Sequence, residues 1–288
     1  KDDGLIAMLK QRIITAIVLL FILIDVLIID NPWPFMLFVM ALAVCATWEW
    51  LRLTWHGNRA VIILVPVFVG AVAMLQSWAI QNNYYLFSRA FDVLVVLCAV
   101  VWFFGMPLML ARGQASDPPH SLMLTLFAPF AMLATWWVFV SLFVQRGSIY
   151  LLSLLILVWV ADLAAFFAGR RWGKHKLAPN ISPGKTREGA IAGLFAVVVW
   201  LLASSFWPGS FAQDLLNQWS WVGVVVWGVL LGSLSIMGDL FESLLKRRAH
   251  VKDSSKLLPG HGGVYDRIDA VVVVLPVAFV LISVVYLQ

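Results

Sequence analysis

The stretch SLLKRRAHVKDSSKLLPGHGGVYDRID, residues 243–269, lies between two apolar runs, WSWVGVVVWGVLLGSLSIMG at 219–238 and AVVVVLPVAFVLISVVYL at 270–287. It holds six Lys or Arg, three Asp and two His, whereas only 12% of the 288-residue chain is charged and 62% is hydrophobic. Polar groups at this density are costly beside lipid unless they work there. The flanking runs therefore indicate membrane helices, and the polar stretch indicates where a functional site should be sought.

Membrane-spanning segments account for most of the chain. A helical crossing of a bilayer needs roughly 20 apolar residues, and the mean hydropathy of +0.93 excludes an ordinary soluble protein. We predict an all-α polytopic membrane protein with about nine transmembrane helices. Their expected spans are residues 13–29, 34–51, 60–80, 91–111, 122–144, 149–168, 190–208, 219–238 and 270–287.

This number of spans leaves no room for a separate soluble domain. We expect residues 8–288 to form a single transmembrane domain, with the catalytic residues on the loops 169–189 and 239–269. Residues 1–7 precede Met8 and are interpreted as a segment added before a natural start. The first apolar segment is not closed by a small-residue cleavage site, so we interpret it as a retained anchor rather than a signal peptide.

The basic residues are distributed very unevenly between the two sets of alternate loops. With nine spans, 18 of the 20 Lys and Arg fall on one side, and only Arg89 and Arg146 fall on the other. By the positive-inside rule, the N-terminus and both long polar loops are predicted to be cytoplasmic. The C-terminus is predicted to be periplasmic.

The two cysteines carry no sign of a disulfide or a zinc site. Cys45 and Cys98 both fall inside predicted spans. We therefore expect both to act as small apolar packing residues.

Polar residues between Trp159 and Gly189 form the first candidate constellation. Asp162 lies within the sixth predicted span, where a carboxylate should face a water-filled cavity or a cationic partner. The pair Arg170 and Arg171 is equally consistent with a basic flank that contacts lipid headgroups.

The same constellation includes the segment SPGKT at residues 182–186. It offers hydroxyls, backbone N–H groups and a lysine to phosphate oxygens, just before a helix expected to start near Glu188. It is not a P-loop, because the GxxxxGK[ST] spacing and a preceding strand are absent from the pattern.

A second constellation begins at the end of the eighth predicted span. If the helix continues there, Asp239, Glu242, Ser243 and Lys246 share one face. Glu242 and Lys246 are also explained as an ordinary ion pair four residues apart.

Downstream, the cluster Lys246-Arg247-Arg248 supplies positive charge for phosphates, and residues 259–263 (PGHGG) form a flexible turn that a ligand can approach closely. Asp266 opens the last helix, where it could equally be an N-terminal cap, and capping explains Asp269 more readily still.

Taken together, these residue types point to metal-assisted chemistry on phosphates at a membrane surface. Asp239, Asp253 and Asp266 offer hard oxygen ligands of the kind that Mg²⁺ prefers. The sequence offers no Cys/His set for zinc, no GxSxG motif and no Ser-His-Asp order. Phosphate chemistry of this kind is carried by positioned cations rather than by a protein nucleophile.

The motifs of this chain resemble those of the phosphatidate cytidylyltransferases, also called CDP-diacylglycerol synthases. The resemblance rests on SxxKRx4KDx5PGHGGxxDRxD from Ser243 and on ADx6GRxxGKxxLxPxxSPGKTxxG from Ala161. The Trp48-Glu49-Trp50 element and the Gly238-Asp239 step are similar to that family as well. The likeness extends over the chain from Met8 and is closest to the bacterial integral-membrane form.

This resemblance implies the reaction of CTP with phosphatidate to give CDP-diacylglycerol and pyrophosphate. It implies Mg²⁺ as the required ion, with K⁺ as a candidate second ion, and Asp239, Asp266 and Asp253 as metal ligands. The expected substrate-binding residues are Ser182, Lys185, Thr186, Ser243, Lys246, Arg247 and Arg267. The expected catalytic residues are Lys252, Asp253, His261 and Asp162.

The expected setting is the bacterial inner membrane, with the active site facing the cytoplasm. CTP would arrive from the cytoplasm and phosphatidate from the bilayer. No nucleic-acid partner is expected, and a homodimer is a candidate assembly.

Three other functions compete with this one. A CDP-alcohol phosphotransferase would also act on CDP-lipids, but its DGxxAR…GxxxD…D pattern is missing. An ion-coupled transporter could use Asp162, Glu49 and Asp239 as intramembrane ligands, although no internal repeat is evident. A scaffold that binds anionic lipid would explain the basic loops but not the spaced aspartates and glycines.

Overall fold

The computed structural model describes residues 2–82, Tyr84, 87–112 and 115–283, and for residues 2–13 and 16 it describes the backbone alone. Helices dominate, with one short antiparallel hairpin. The elements are α1 (Asp2–Ile28), α2 (Pro32–Thr54), α3 (Arg59–Gln81), α4 (Ser88–Val100), a π-helical turn (Val101–Gly105), α5 (Met106–Arg112), α6 (Leu122–Arg146), α7 (Ser148–Trp172), β1 (Lys176–Ala178), β2 (Ser182–Thr186), α8 (Arg187–Ser204), α9 (Phe211–Arg248) and α10 (Tyr265–Ser283).

The protein is an all-α polytopic membrane protein, as predicted. Within the described residues, seven helices are long and apolar enough to cross a membrane, counting α4, the π-helical turn and α5 as one. The apolar part of α1, Ile17–Ile28, is shorter, and α10 begins with Asp266, Arg267 and Asp269 in its first turns. Nine crossings therefore stay a prediction.

Several span boundaries differ from the predicted ones. The seventh span was predicted to reach residue 208, but α8 ends at Ser204 because the chain turns before Pro208 and Gly209. Helix α9 has 38 residues and is interrupted at Ser220, whose φ of 61° is not helical, so the eighth span begins there. The last four residues of the ninth predicted span lie outside the described residues.

Helices α6 and α10 form the centre of the bundle. Every residue from 131 to 142 in α6 and from 270 to 278 in α10 is buried. By contrast, α3 exposes a row of large apolar side chains, among them Ile63, Leu64, Val67 and Phe68. Such a row is suited to contact with lipid tails rather than water.

Helices α9 and α10 approach each other closely at Gly238. A Cβ atom at this position would lie 2.9 Å from the Cα atom of Ala270 and 2.9 Å from the carbonyl oxygen of Asp269. Only glycine permits this separation. The contact sets the register between the two helices and brings the polar start of α10 beside Asp239.

Candidate active site

A cavity of about 1120 Å³ lies where α7, α9, α10 and the β1–β2 hairpin meet. One end is polar, and the other is lined by apolar side chains from α1 and α2, including Leu20, Phe35 and Phe38. The predicted site residues that line it are Asp162, Ser182, Lys185, Thr186, Asp239, Lys246, Asp253, His261, Asp266 and Arg267. Both polar constellations of the sequence thus contribute to a single cavity.

Three carboxylates form a tight cluster at the polar end of the cavity. One oxygen each from Asp239, Glu242 and Asp269 lies within 4.8 Å of the others. Asp239 and Glu242 are on the same face of α9, and Asp269 comes from the first turns of α10. In number and chemical type, these oxygen donors suit a hard divalent cation such as Mg²⁺.

Two lysines contact this acidic region. The Nζ of Lys185, on β2, lies 2.5 Å from the Oδ2 of Asp239. The Nζ of Lys246 lies 2.7 Å from the Oε2 of Glu242 and 2.8 Å from the Oδ1 of Asp266. The hairpin, α9 and α10 are thus joined by ion pairs inside one cavity.

Asp266 is held by the loop that precedes α10. Its Oδ2 accepts hydrogen bonds from the backbone N–H groups of Gly263 at 2.7 Å and Ser254 at 3.0 Å, and the Oγ of Ser254 also lies 3.0 Å from it. Gly262 has a φ of +84°, and a Cβ there would lie 2.6 Å from the same oxygen. The glycines of the PGHGG turn therefore allow the backbone to wrap around this carboxylate.

Glu49 anchors the same loop from the opposite side. It is fully buried on α2. It accepts hydrogen bonds from the hydroxyls of Ser254 and Ser255, at 2.9 and 2.5 Å, and from the N–H groups of Val264 and Tyr265, at 3.0 and 2.6 Å. Because Tyr265 begins α10, the carboxylate also stabilises a helix N-terminus.

The SPGKT segment is a β-strand. It forms β2, which pairs with β1 so that Lys176 faces Thr186. Thr186 then caps α8, since its Oγ1 accepts from the N–H of Gly189 at 3.1 Å. The strand carries Lys185 to the acidic cluster, and α8 begins at Arg187, close to the predicted position.

The other three predicted residues are not among the residues that line this cavity. The Nε of Arg247 donates to the carbonyl of Ile181 at 3.2 Å, which fastens the hairpin to α9. Lys252 lines a second cavity beside α2. Ser243 is half-buried on α9.

Negative charge exceeds positive charge around the cavity. Its titratable lining residues are Asp162, Asp239, Glu242, Asp253, Asp266, Asp269, Arg170, Lys185, Lys246, Arg267 and His261. Six carboxylates thus face four permanent cations. An anionic substrate would be repelled unless further cations entered with it, so the charge balance and the donor set both fit a bound metal ion.

Sequence reasoning gave lesser roles to four residues of this region. Glu242 was explained as half of a helical ion pair, Asp269 as a cap, and Arg170 as a headgroup contact. Glu49 was named as part of the family resemblance and as a candidate ligand of a transporter. Its role as the anchor of the loop before α10 was not predicted. Its place in an apolar span was the signal, because a carboxylate there needs several partners.

Comparison with known proteins matches this architecture to one family. Residues 10–285 match the model of the cytidylyltransferase family. A phosphatidate cytidylyltransferase of Haemophilus influenzae is 35% identical over 283 residues, which covers 93% of this chain and 96% of that protein. One of Pseudomonas aeruginosa is 36% identical over 276 residues, covering 94% and 95%. One of Staphylococcus aureus is 32% identical over 276 residues, covering 95% and 99%.

These matches extend over both polar constellations and nearly all the helices. The chain belongs to the cytidylyltransferase family and is therefore a nucleotidyltransferase. The match favours the predicted cytidylyltransferase over the three competing functions, which were a CDP-alcohol phosphotransferase, a transporter and a lipid-binding scaffold.

Proposed function

We propose that this protein joins CTP to phosphatidate, giving CDP-diacylglycerol and pyrophosphate for phospholipid biosynthesis. The observation that carries the proposal is the cavity itself, which continues from carboxylates and lysines at one end to Leu20, Phe35 and Phe38 at the other. A lipid with a phosphate headgroup needs both kinds of surface at once. The names of the bacterial relatives support the same substrates.

The chemistry requires positioning more than it requires a protein nucleophile. An oxygen of the phosphatidate phosphate attacks the α-phosphorus of CTP, and the new P–O bond forms as the bond to the bridging oxygen of the β-phosphate breaks. Pyrophosphate leaves with that electron pair. The protein must hold two anionic reactants together and in line.

Cationic and hydroxyl groups on the cavity wall would bind the phosphates. Lys185, Lys246 and Arg267 supply positive charge, and Ser182 and Thr186 supply hydroxyls on the neighbouring strand. Because Lys185 and Lys246 pair with carboxylates at 2.5 to 2.8 Å, both would exchange those partners for substrate phosphates when metal binds the carboxylates.

We propose Asp239, Glu242 and Asp269 as the core of the metal site, with Asp266 and Asp253 as the further expected ligands. Mg²⁺ supplies charge neutralisation of the phosphate oxygens when bound, and K⁺ is a candidate second ion. In this scheme the side chains of α9 and α10 bind the metal, and the hairpin binds the nucleotide phosphates.

The remaining predicted roles are also proposals. Asp162 borders the metal region from α7, and His261 would hydrogen-bond a phosphate or the leaving pyrophosphate. Lys252 as a catalytic residue, and Ser243 and Arg247 as substrate-binding residues, also stay proposals, although none of the three is among the residues that line the catalytic cavity. We also propose that the site faces the cytoplasm from a bacterial inner membrane. A homodimer is a candidate assembly.

An assay of purified protein in detergent tests this function. Release of pyrophosphate from CTP should require phosphatidate and Mg²⁺ together, and the lipid product should contain CMP. Asp239→Asn should lower the rate at least about 100-fold, because a neutral amide is a poor ligand for Mg²⁺.

The matched control is Asp30→Asn, which removes a carboxylate from the exposed turn before α2 and should leave the rate unchanged. A folded wild-type sample with no dependence on phosphatidate would contradict the proposed function. Full activity of the Asp239→Asn variant would show that Asp239 is not a required metal ligand, and it would leave the proposed function standing.

A further inference from the structure

A second cavity, of about 690 Å³, lies on the other side of the loop between α9 and α10. Trp48, Arg52, Leu53 and His56 line it from the end of α2 and the turn that follows. Residues 249–257 complete the wall, all but His250. Asp253 borders both this cavity and the catalytic one, so the two cavities share a residue of their walls.

The charge of the second cavity is opposite to that of the first. Arg52, Lys252 and Lys256 face one carboxylate, Asp253, and His56 adds a titratable ring. The guanidinium of Arg52 lies 4.6 Å from the centre of the Trp48 ring. An arginine stacked in this way keeps its N–H edge for an anion, and guanidinium and ammonium groups together suit phosphate.

The position of this cavity places it at the level of lipid headgroups. Helix α2 ends at Thr54 and α9 ends at Arg248, so the lining residues lie in the last turns of α2 or just beyond the ends of the two helices. A tryptophan beside basic residues at a helix end is typical of the membrane interface. Leu53, Val251 and Leu257 add apolar surface to the same wall, as the glycerol end of a lipid requires.

We propose that this second cavity binds the phosphate headgroup of an anionic phospholipid that is not a substrate. Basic pockets between membrane helices take such headgroups. The site is connected to the catalytic one through Ser254, which follows Asp253 and donates to Asp266 and Glu49. A lipid bound here would therefore contact the same loop that holds the catalytic carboxylate.

Binding of phosphatidylglycerol, measured by native mass spectrometry in detergent, tests this proposal without any turnover. The variant combines Arg52→Gln with Lys256→Gln, neither of which lines the catalytic cavity. Its affinity for the most tightly bound lipid should fall about 30-fold, which corresponds to about 1 kcal/mol for each of the two cations. The control combines Arg59→Gln with Arg112→Gln, two exposed cations at helix ends outside the cavity, and should bind as the wild type does.

Each outcome of this experiment decides the proposal. Equal lipid binding by wild type and the Arg52/Lys256 variant would overturn it. Equal weakening in the Arg59/Arg112 control would also overturn it, because binding would then depend on total charge. Displacement of the lipid by millimolar inorganic phosphate would assign the cavity to free phosphate instead, and retention of the lipid under those conditions supports the lipid assignment.

Discussion

At the scale of single residues, Glu49 shows how a buried charge can be stabilised without a cation. Its two oxygens accept two hydroxyls and two backbone N–H groups. Serine hydroxyls can rotate toward new acceptors, but the N–H groups of Val264 and Tyr265 are fixed by the start of α10. A substitution that replaces one carboxylate oxygen of Glu49 with a hydrogen-bond donor therefore leaves one of these two N–H groups without an acceptor.

We therefore predict that Glu49→Gln lowers the free energy of unfolding by about 2 kcal/mol. The amide NH₂ would face a backbone N–H group, and the loop that carries Asp253 and Asp266 would shift. Thermal unfolding in detergent measures the stability, and the rate with saturating CTP and phosphatidate should fall as well.

Glu188→Gln is the matched control. Glu188 also accepts backbone N–H groups, from Lys174 at 3.1 Å and His175 at 3.2 Å, but its side chain is partly exposed, so water can replace it. We expect the free energy of unfolding to stay close to that of the wild type. Equal destabilisation by the two substitutions would contradict the anchoring role of Glu49.

Residue types in the site were predictable, but their partners were not. The helical pattern placed Asp239, Glu242 and Lys246 on one face, and the structure shows the Glu242–Lys246 ion pair. The cluster of Asp239 with Asp269 depends instead on the register of two helices. That register follows from a glycine contact between chain segments about 30 residues apart, which no local pattern encodes.

At the scale of elements, the contact of α9 with α10 at Gly238 is a tight constraint on the site. A methyl group there would meet backbone atoms at 2.9 Å, so α10 would have to move rather than a flexible side chain. We predict that Gly238→Ala destabilises the protein by about 2 kcal/mol, despite the better helix propensity of alanine. It should also lower the reaction rate, since Asp269 moves with α10.

Gly105→Ala provides the comparison for this prediction. Its new methyl group would meet only the Cγ1 of Val101 at 3.6 Å, an ordinary contact. Stability and rate should stay close to the wild type when unfolding and pyrophosphate release are measured side by side. A harmless Gly238→Ala would show that the helices can separate without loss of the site.

The hairpin illustrates what composition alone does not provide. Pro183 and Gly184 are residue types that are depleted in strands, yet the segment is a strand because β1 supplies its hydrogen-bonding partner. The start of α8 was predicted well, since Glu188 and the capping Thr186 are local signals. The conformation of the loop between α9 and α10 could not be predicted from the sequence. In the structure, Lys252 of this loop lines the second cavity rather than the first.

At the scale of the whole molecule, the distribution of basic residues predicts the orientation in the membrane. Lys174 follows α7 on the predicted cytoplasmic side, and Arg89 lies at the start of α4 on the other side. Both side chains are exposed. We predict that Arg89→Cys reacts with a membrane-impermeant thiol reagent in intact spheroplasts, whereas Lys174→Cys reacts only after the membrane is permeabilised.

The unsubstituted protein is the background control for this labelling. Cys98 is buried and Cys45 is partly buried inside helices, so both should react slowly. Labelling of Lys174→Cys in intact spheroplasts would reverse the predicted orientation and place the catalytic cavity on the outer face.

The hydrogen bonds of Glu49 also bear on how the protein is made. They join α2 to residues 205 to 216 positions later in the chain. A ribosome delivers those residues only after α1 to α9 have been synthesised. Until then the carboxylate of Glu49 has none of these donors. A chain that stops before Ser254 would carry this charge into the membrane uncompensated. Quality-control proteases that recognise unpaired intramembrane charge would find such truncated chains readily.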